Sequence, residues 1–144
     1  MTDKIFASLH HACAAHGTRL FTVTIQDEAK GLAWRAYTSH PVEYPVSGTK
    51  PLHKDGWYDH TILHQRTFVA NTPEEFALYF FDHALITSLG LGSCINVPVV
   101  HDRHVLGTVN LLAEAGHFTP ARVSGYQRLV TEAHAPLVLA MRGG

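Results

Sequence analysis

Apolar and polar side chains alternate with a period of two along residues 19–27, where Phe21, Val23 and Ile25 interleave with Thr22, Thr24 and Gln26. That alternation marks a half-buried strand. The turn EAKG leads to a second strand, LAWRAYTSH (32–40), as its hairpin partner. Residues 88–112, SLGLGSCINVPVVHDRHVLGTVNLL, read as two further strands around a short charged turn, and TFVA (67–70) reads as a brief one.

Elsewhere the period is helical. In 3–16, Ile5, Leu9, Ala12 and Cys13 share a face, and Gly17 stops the run. A short helix is predicted over 57–65, with Trp57, Thr61 and His64 down one side. A longer one is predicted over 71–90, with Thr72 as N-cap, Pro73 in first position and Glu75 completing a capping box. Phe76, Phe80, Ala84 and Thr87 line one face of it, Leu78, Phe81, Leu85 and Leu89 broaden that face, and Gly90 ends it. The last helix, 119–141, opens with Thr119 and Pro120 and should be kinked or divided by Pro136. Residues 41–56 hold three prolines, two glycines and no periodicity, which makes them a long loop.

Hairpin-linked strands imply an antiparallel sheet, with the terminal helices covering one face. The fold class is therefore α+β, in one domain spanning 1–144. On the hairpin, Ile95, Val97 and Val99 alternate with Cys94, Asn96 and Pro98, while Val105, Val109 and Leu111 oppose Leu106, Thr108, Asn110 and Leu112. The apolar set belongs against the helices. The other set puts two asparagines in the middle of a sheet, where an unpaired buried amide costs about 1–3 kcal/mol. Either they bond to each other or the loop, or they meet a polar ligand, and a cross-strand pair can also floor a pocket.

Composition narrows the class. A formal net charge of −1 gives no general attraction to nucleic acid or anionic lipid. No run reaches the roughly 18 apolar residues of a membrane span, and the first residues lack a signal-peptide pattern, so a soluble cytoplasmic protein is expected. Two cysteines, Cys13 and Cys94, are too few for a disulfide scaffold. The twelve histidines are scattered, and the pairs His60/His64 and His101/His104 read as surface residues rather than metal ligands. No phosphate-loop motif is present. No cofactor and no metal are expected.

Gly92-Ser93, Val97-Pro98-Val99, Val105-Leu106-Gly107-Thr108-Val109 and Phe118-Thr119 together resemble the second half of a GAF domain, and TILHQRTFVANTPEEF resembles the segment before that family's long helix. The element order of the whole chain suits the same family, although HDRH replaces its common Asp-Gly turn. The resemblance implies a central antiparallel sheet with terminal helices on one face and a ligand pocket under loops and short helices on the other. It implies a sensor-type domain holding a small molecule, here a polar or anionic metabolite, and dimerisation through the terminal helices. With no output domain in the sequence, a signal would pass through a partner signalling protein or the dimer.

The residues expected around such a pocket come from several elements. Arg35, Tyr37 and Ser39 alternate on the second strand, and an arginine there can clamp a carboxylate or phosphate, or simply face solvent in a salt bridge. Tyr44, Trp57 and His60 would wall the pocket near the loop, with Phe80 and His83 from the long helix. Cys94, Asn96, Thr108 and Asn110 would come from the hairpin. The alternative is a small enzyme. One branch of the GAF family reduces free methionine sulfoxide with cysteines, a chemistry that needs a thiolate and a resolving partner. That family's cysteine positions are not reproduced here, and Cys94 reads as a buried structural residue.

Overall fold

A computed structural model describes residues 3–143. Six strands form one sheet: β1 (Leu20–Asp27), β2 (Leu32–Thr38), β3 (Lys50–Pro51), β4 (Phe68–Ala70), β5 (Ser93–His101) and β6 (His104–Ala113). Their order across the sheet is β3-β2-β1-β6-β5-β4, with every neighbouring pair antiparallel. Helix α1 (Asp3–Ala14) covers one face together with the last two helices of the chain.

The alternation read in the sequence sets the two faces. Phe21, Val23, Ile25, Ile95, Val97, Val99, Val109 and Leu111 join Phe6, Leu9 and Cys13 of α1 in a buried core. Leu20, Cys94 and Leu112 face the other way, into a second cluster that includes Tyr44 from the 41–49 segment. The helices and the long loop thus lie on opposite faces, as the pattern required. Gly107 sits where β6 passes closest to β1, and a Cβ there would run into the Thr24 carbonyl.

Four local features differ from the expectation. The 41–56 loop contributes an edge strand, β3, and its Pro51 is tolerated because on an edge strand the outward-facing nitrogen has no strand to pair with. Helix α2 (Gly56–Tyr58), capped by Asp55, runs on as a π-helical turn over Asp59–Leu63. The wider turn buries Thr61 and Ile62 and leaves His64 in solvent.

The predicted helix over 71–90 is two, α3 (Pro73–Ala77) and α4 (His83–Ser88). Phe76 and Ile86 explain the break. Ten positions apart, they would point about 80° away from each other on a continuous helix. The bend at 78–82 lets both enter the same cluster, at 0% and 2% exposure, and leaves Leu78 and Phe81 outside. The final helix, by contrast, divides as expected, into α5 (Pro120–Glu132) and α6 (His134–Met141), with Pro136 in the first turn of α6.

The turn of the β5–β6 hairpin puts Asp102 at φ 51 and Arg103 at φ 68. Two consecutive left-handed residues suit the primed turns that match strand twist. The ladder also slips between Val99 and Val100, pairing Val99 with Gly107 and Val100 with Val105. Leu106 is the unpaired residue, and it packs on the helix-side core instead of opposing it.

Candidate functional site

A cavity of about 180 Å³ lies on the sheet face away from the terminal helices. Of the residues expected around a pocket, Arg35, Tyr44, Trp57, Phe80, Cys94, Asn96, Thr108 and Asn110 line it. The strands supply its floor, because Thr22, Thr24, Asn96, Thr108 and Asn110 all occupy pocket-facing positions of β1, β5 and β6.

The two asparagines face each other across the β5–β6 ladder. Trp57 Nε1 donates to Asn96 Oδ1 at 2.9 Å, and Asn96 Nδ2 donates to Asn110 Oδ1 at 2.8 Å. Asn110 Nδ2 then donates to Thr22 Oγ1 at 3.1 Å and Thr24 Oγ1 at 3.0 Å. One continuous chain of hydrogen bonds crosses three strands, and each amide is satisfied within the protein. The asparagines therefore do not depend on a ligand for their partners.

The wall is different. Arg35 Nη1 donates to the Pro45 carbonyl at 3.0 Å, and the guanidinium lies 5.1 Å from the centre of the Tyr44 ring. Arg35 Nε is buried without a partner. The Tyr44 hydroxyl donates to Asp82 Oδ2 at 2.6 Å, and burial, then Asp82, push its pKa upward. A charged donor, an aromatic ring and a carboxylate thus share one side of the cavity.

The sheet order and the helix-covered face recur in known proteins. The family model described as the GAF domain matches residues 1–133. The chain belongs to the GAF domain family. Among solved structures, it is similar to the GAF domain/HD domain protein from Geobacter sulfurreducens, at 16% identity and TM-score 0.77, covering 98% of this chain and 94% of that one. It is also similar to the GAF domain of a two-component sensor histidine kinase from Bacillus halodurans, at 9% identity and TM-score 0.77, covering 99% and 97%. A type II free methionine-R-sulfoxide reductase from Thermoplasma acidophilum matches at 12% identity and TM-score 0.65, over 99% and 95%. At these identities the likeness is one of fold. No curated protein sequence matches the chain.

Four expected residues lie outside the lining of this GAF domain's cavity. The pairing of β1 with β2 slips between Val23 and Thr24, opposite Tyr37 and Arg35, so Ala36 is an extra residue. A bulge of this kind ends strict alternation. Arg35 lines the cavity, but Tyr37 turns to the helix side, where its hydroxyl meets His10 Nδ1 at 2.9 Å. Ser39 accepts from the Phe21 amide and contacts His40. His60 Nε2 bonds the Thr67 carbonyl and lines a separate surface depression. His83 starts α4 and is exposed, because the helix it was placed on is broken just before it.

Thr22, Thr24 and Asp82 also line the cavity, with Leu20, Ile86 and Leu112. The threonines were visible as the polar phase of β1. Asp82 was visible only as a neighbour of His83 on a continuous helix, and the bend gives it its position. A larger open groove, about 1240 Å³, runs on the helix side past Trp34, Leu106 and Met141. Its polar members Gln26, Asp27, Glu28, His104 and Arg142 are not buried, and Arg35 borders this groove as well as the cavity.

Cys94 is buried in the cavity wall, and burial, with the charges of Asp82 and Glu75, pushes its thiol up to about 12. Cys13 lies on the opposite face in the helix-side core, and burial raises it to about 12 as well. The sheet separates them. Among the described residues, no group of three or more His, Cys, Asp or Glu side chains is arranged to hold a metal ion. Nor is any helix there long and apolar enough to cross a membrane.

Proposed function

We propose that this GAF domain is a receptor for a small, carboxylate-bearing metabolite held against Arg35. GAF domains generally bind small molecules in a regulatory role. The observation that carries the reading is Arg35 on the cavity wall, whose buried Nε–H has no partner among the described residues, whereas the two floor asparagines bond to each other and to the threonines. With Nη1 committed to Pro45, the edge of the guanidinium without partners among the described residues is Nε and Nη2, and a carboxylate reaches it once the side chain turns the buried Nε toward the cavity. Two parallel N–H groups on that edge match the two oxygens of a carboxylate.

A mass spectrum of the intact protein under native conditions tests this directly. The expected result is a retained small acid that is lost from Arg35→Ala. One charged hydrogen bond contributes about 1.5–3 kcal/mol, so affinity should fall roughly tenfold to a hundredfold. A retained ligand with no acidic group, or one held equally by Arg35→Ala, overturns the reading.

The redox alternative is less well supported, because neither thiol is poised as a thiolate and the two lie on opposite faces of the sheet. Two wider elements belong to the same proposal. A reducing cytoplasmic setting suits two free buried cysteines. A homodimer through the terminal helices, or a partner signalling protein, would carry the response. Tyr126 and Leu137 are in the core and Leu129 packs beside it, whereas Leu139 is 61% exposed, which supports a contact through that residue. Sedimentation of the wild type and of Leu139→Glu would separate a dimer from a monomer.

A further inference from the structure

We propose that the ligand is a zwitterion, a small free α-amino acid whose carboxylate meets Arg35 and whose ammonium meets Asp82. The proposal rests on the receptor reading above and adds a second charge to it.

Arg35 and Asp82 carry opposite charges and line the same cavity of about 180 Å³. They form no ion pair with each other. Tyr44 stands between them, its ring against the guanidinium at 5.1 Å and its hydroxyl on Asp82 Oδ2 at 2.6 Å. Each charge keeps an uncommitted side. On Arg35, Nη1 is taken by Pro45, and neither Nη2 nor the buried Nε has a partner among the described residues. On Asp82 it is Oδ1, which accepts no hydrogen bond among the described residues.

A plain carboxylate at Arg35 would enter a space already charged by Asp82. Cys94 lines the same wall, and its thiol is pushed up first by burial and then by the Asp82 charge. A plain amine would instead meet the guanidinium. A molecule carrying both charges on neighbouring atoms satisfies both sides and adds no net charge to a small, partly apolar space. The remaining wall favours an apolar tail. Leu20, Phe80, Ile86 and Leu112 offer no polar contact, and the amides of the floor are already bonded. A volume of about 180 Å³ suits side chains of roughly alanine to leucine size.

The test uses the Trp57 indole N–H, a reporter inside the cavity that is distinct from Trp34 on the helix side. Uniformly ¹⁵N-labelled protein is titrated with L-alanine, L-valine and L-leucine, and with propanoate, 3-methylbutanoate and 4-methylpentanoate, the same molecules without the amino group. At least one amino acid should move the Trp57 resonance and bind at least about tenfold more tightly than its desamino acid. Asp82→Asn, which still accepts the Tyr44 hydroxyl, should erase that preference without weakening the desamino acid. A dispersed Trp57 resonance in the free variant shows that it folds, and the wild-type comparison stands without it. Equal or tighter binding of the desamino acids overturns the zwitterion while leaving the carboxylate reading in place. Amino-acid binding unchanged in Arg35→Ala overturns the carboxylate contact on which the zwitterion depends. No response to any of the six compounds overturns the zwitterion as well.

Discussion

The Tyr44 hydroxyl and Asp82 Oδ2 lie 2.6 Å apart, and their bond ties the 41–49 segment to the bend between α3 and α4. These two segments share no strand pairing with each other. The same tyrosine supports Arg35, so one side chain links both wall segments to β2. Because its pKa is raised, the phenol stays a donor well into alkaline solution.

Tyr44→Phe keeps the ring under Arg35 and removes the link to Asp82. A net hydrogen bond contributes about 0.5–1.5 kcal/mol, so local opening should become about twofold to just over tenfold more frequent. Hydrogen exchange at the Trp57 indole measures that opening. An exchange rate equal to the wild type's would mean that the cavity opens elsewhere.

Asn110 is the hub of the floor, accepting from Asn96 and donating to Thr22 and Thr24. Asn110→Ala should cost about 2–4 kcal/mol, combining an unpaired Asn96 donor with the space left behind. Thr24→Val removes only one of two acceptors and should cost less than about 1 kcal/mol. Urea denaturation of both variants checks the ranking.

His117 is buried, with Nε2 at 2.7 Å from the Tyr126 hydroxyl, which itself donates to the His16 carbonyl. The imidazole must therefore be the donor at Nε2. Burial, and then the Arg122 charge, hold its pKa below the ordinary 6.5. The unfolded chain takes up the proton first, so this contribution is complete above pH about 6.5 and is lost as pH falls below it. His10 shifts in the same direction, through burial, His11 and His40. His117→Gln retains an amide N–H without the titration. Its unfolding free energy, compared at pH 7.5 and 5.5, should fall less than the wild type's, by at most about 1.4 kcal/mol per pH unit.

Cys13 and Cys94 should both resist iodoacetamide at pH 8, since burial raises each to about 12. At that pH only about one molecule in ten thousand would carry a given thiolate. Full labelling should appear in urea. Rapid alkylation of Cys94 in the folded protein would reopen a nucleophilic role.

The faces of β1, β5 and β6 were legible because burial imposes a period of two wherever the ladder is regular. Phe21, Val23 and Ile25 gave one side, and Thr22, Thr24, Asn96 and Asn110 the other. What was not legible depended on breaks in that regularity. The bulge at Ala36 carries no glycine or proline to announce it, and it separates Arg35 from Tyr37. The bend after α3 exists because Phe76 and Ile86 must reach one cluster, a tertiary demand with no local signal. Trp57 and Asn96 are 39 positions apart, so no spacing rule could pair them.

The closed hydrogen-bond chain from Trp57 to the two threonines has a consequence for an unoccupied receptor. Its interior does not rely on a guest for cohesion, so emptying it leaves no amide of that chain unpaired. On the proposed receptor reading, a guest at free concentration L would then add stability through its own binding, by RT ln(1 + L/Kd), rather than by completing that chain. The floor would be the same before and after capture, so the change on binding would fall on the wall, at Arg35 and Asp82.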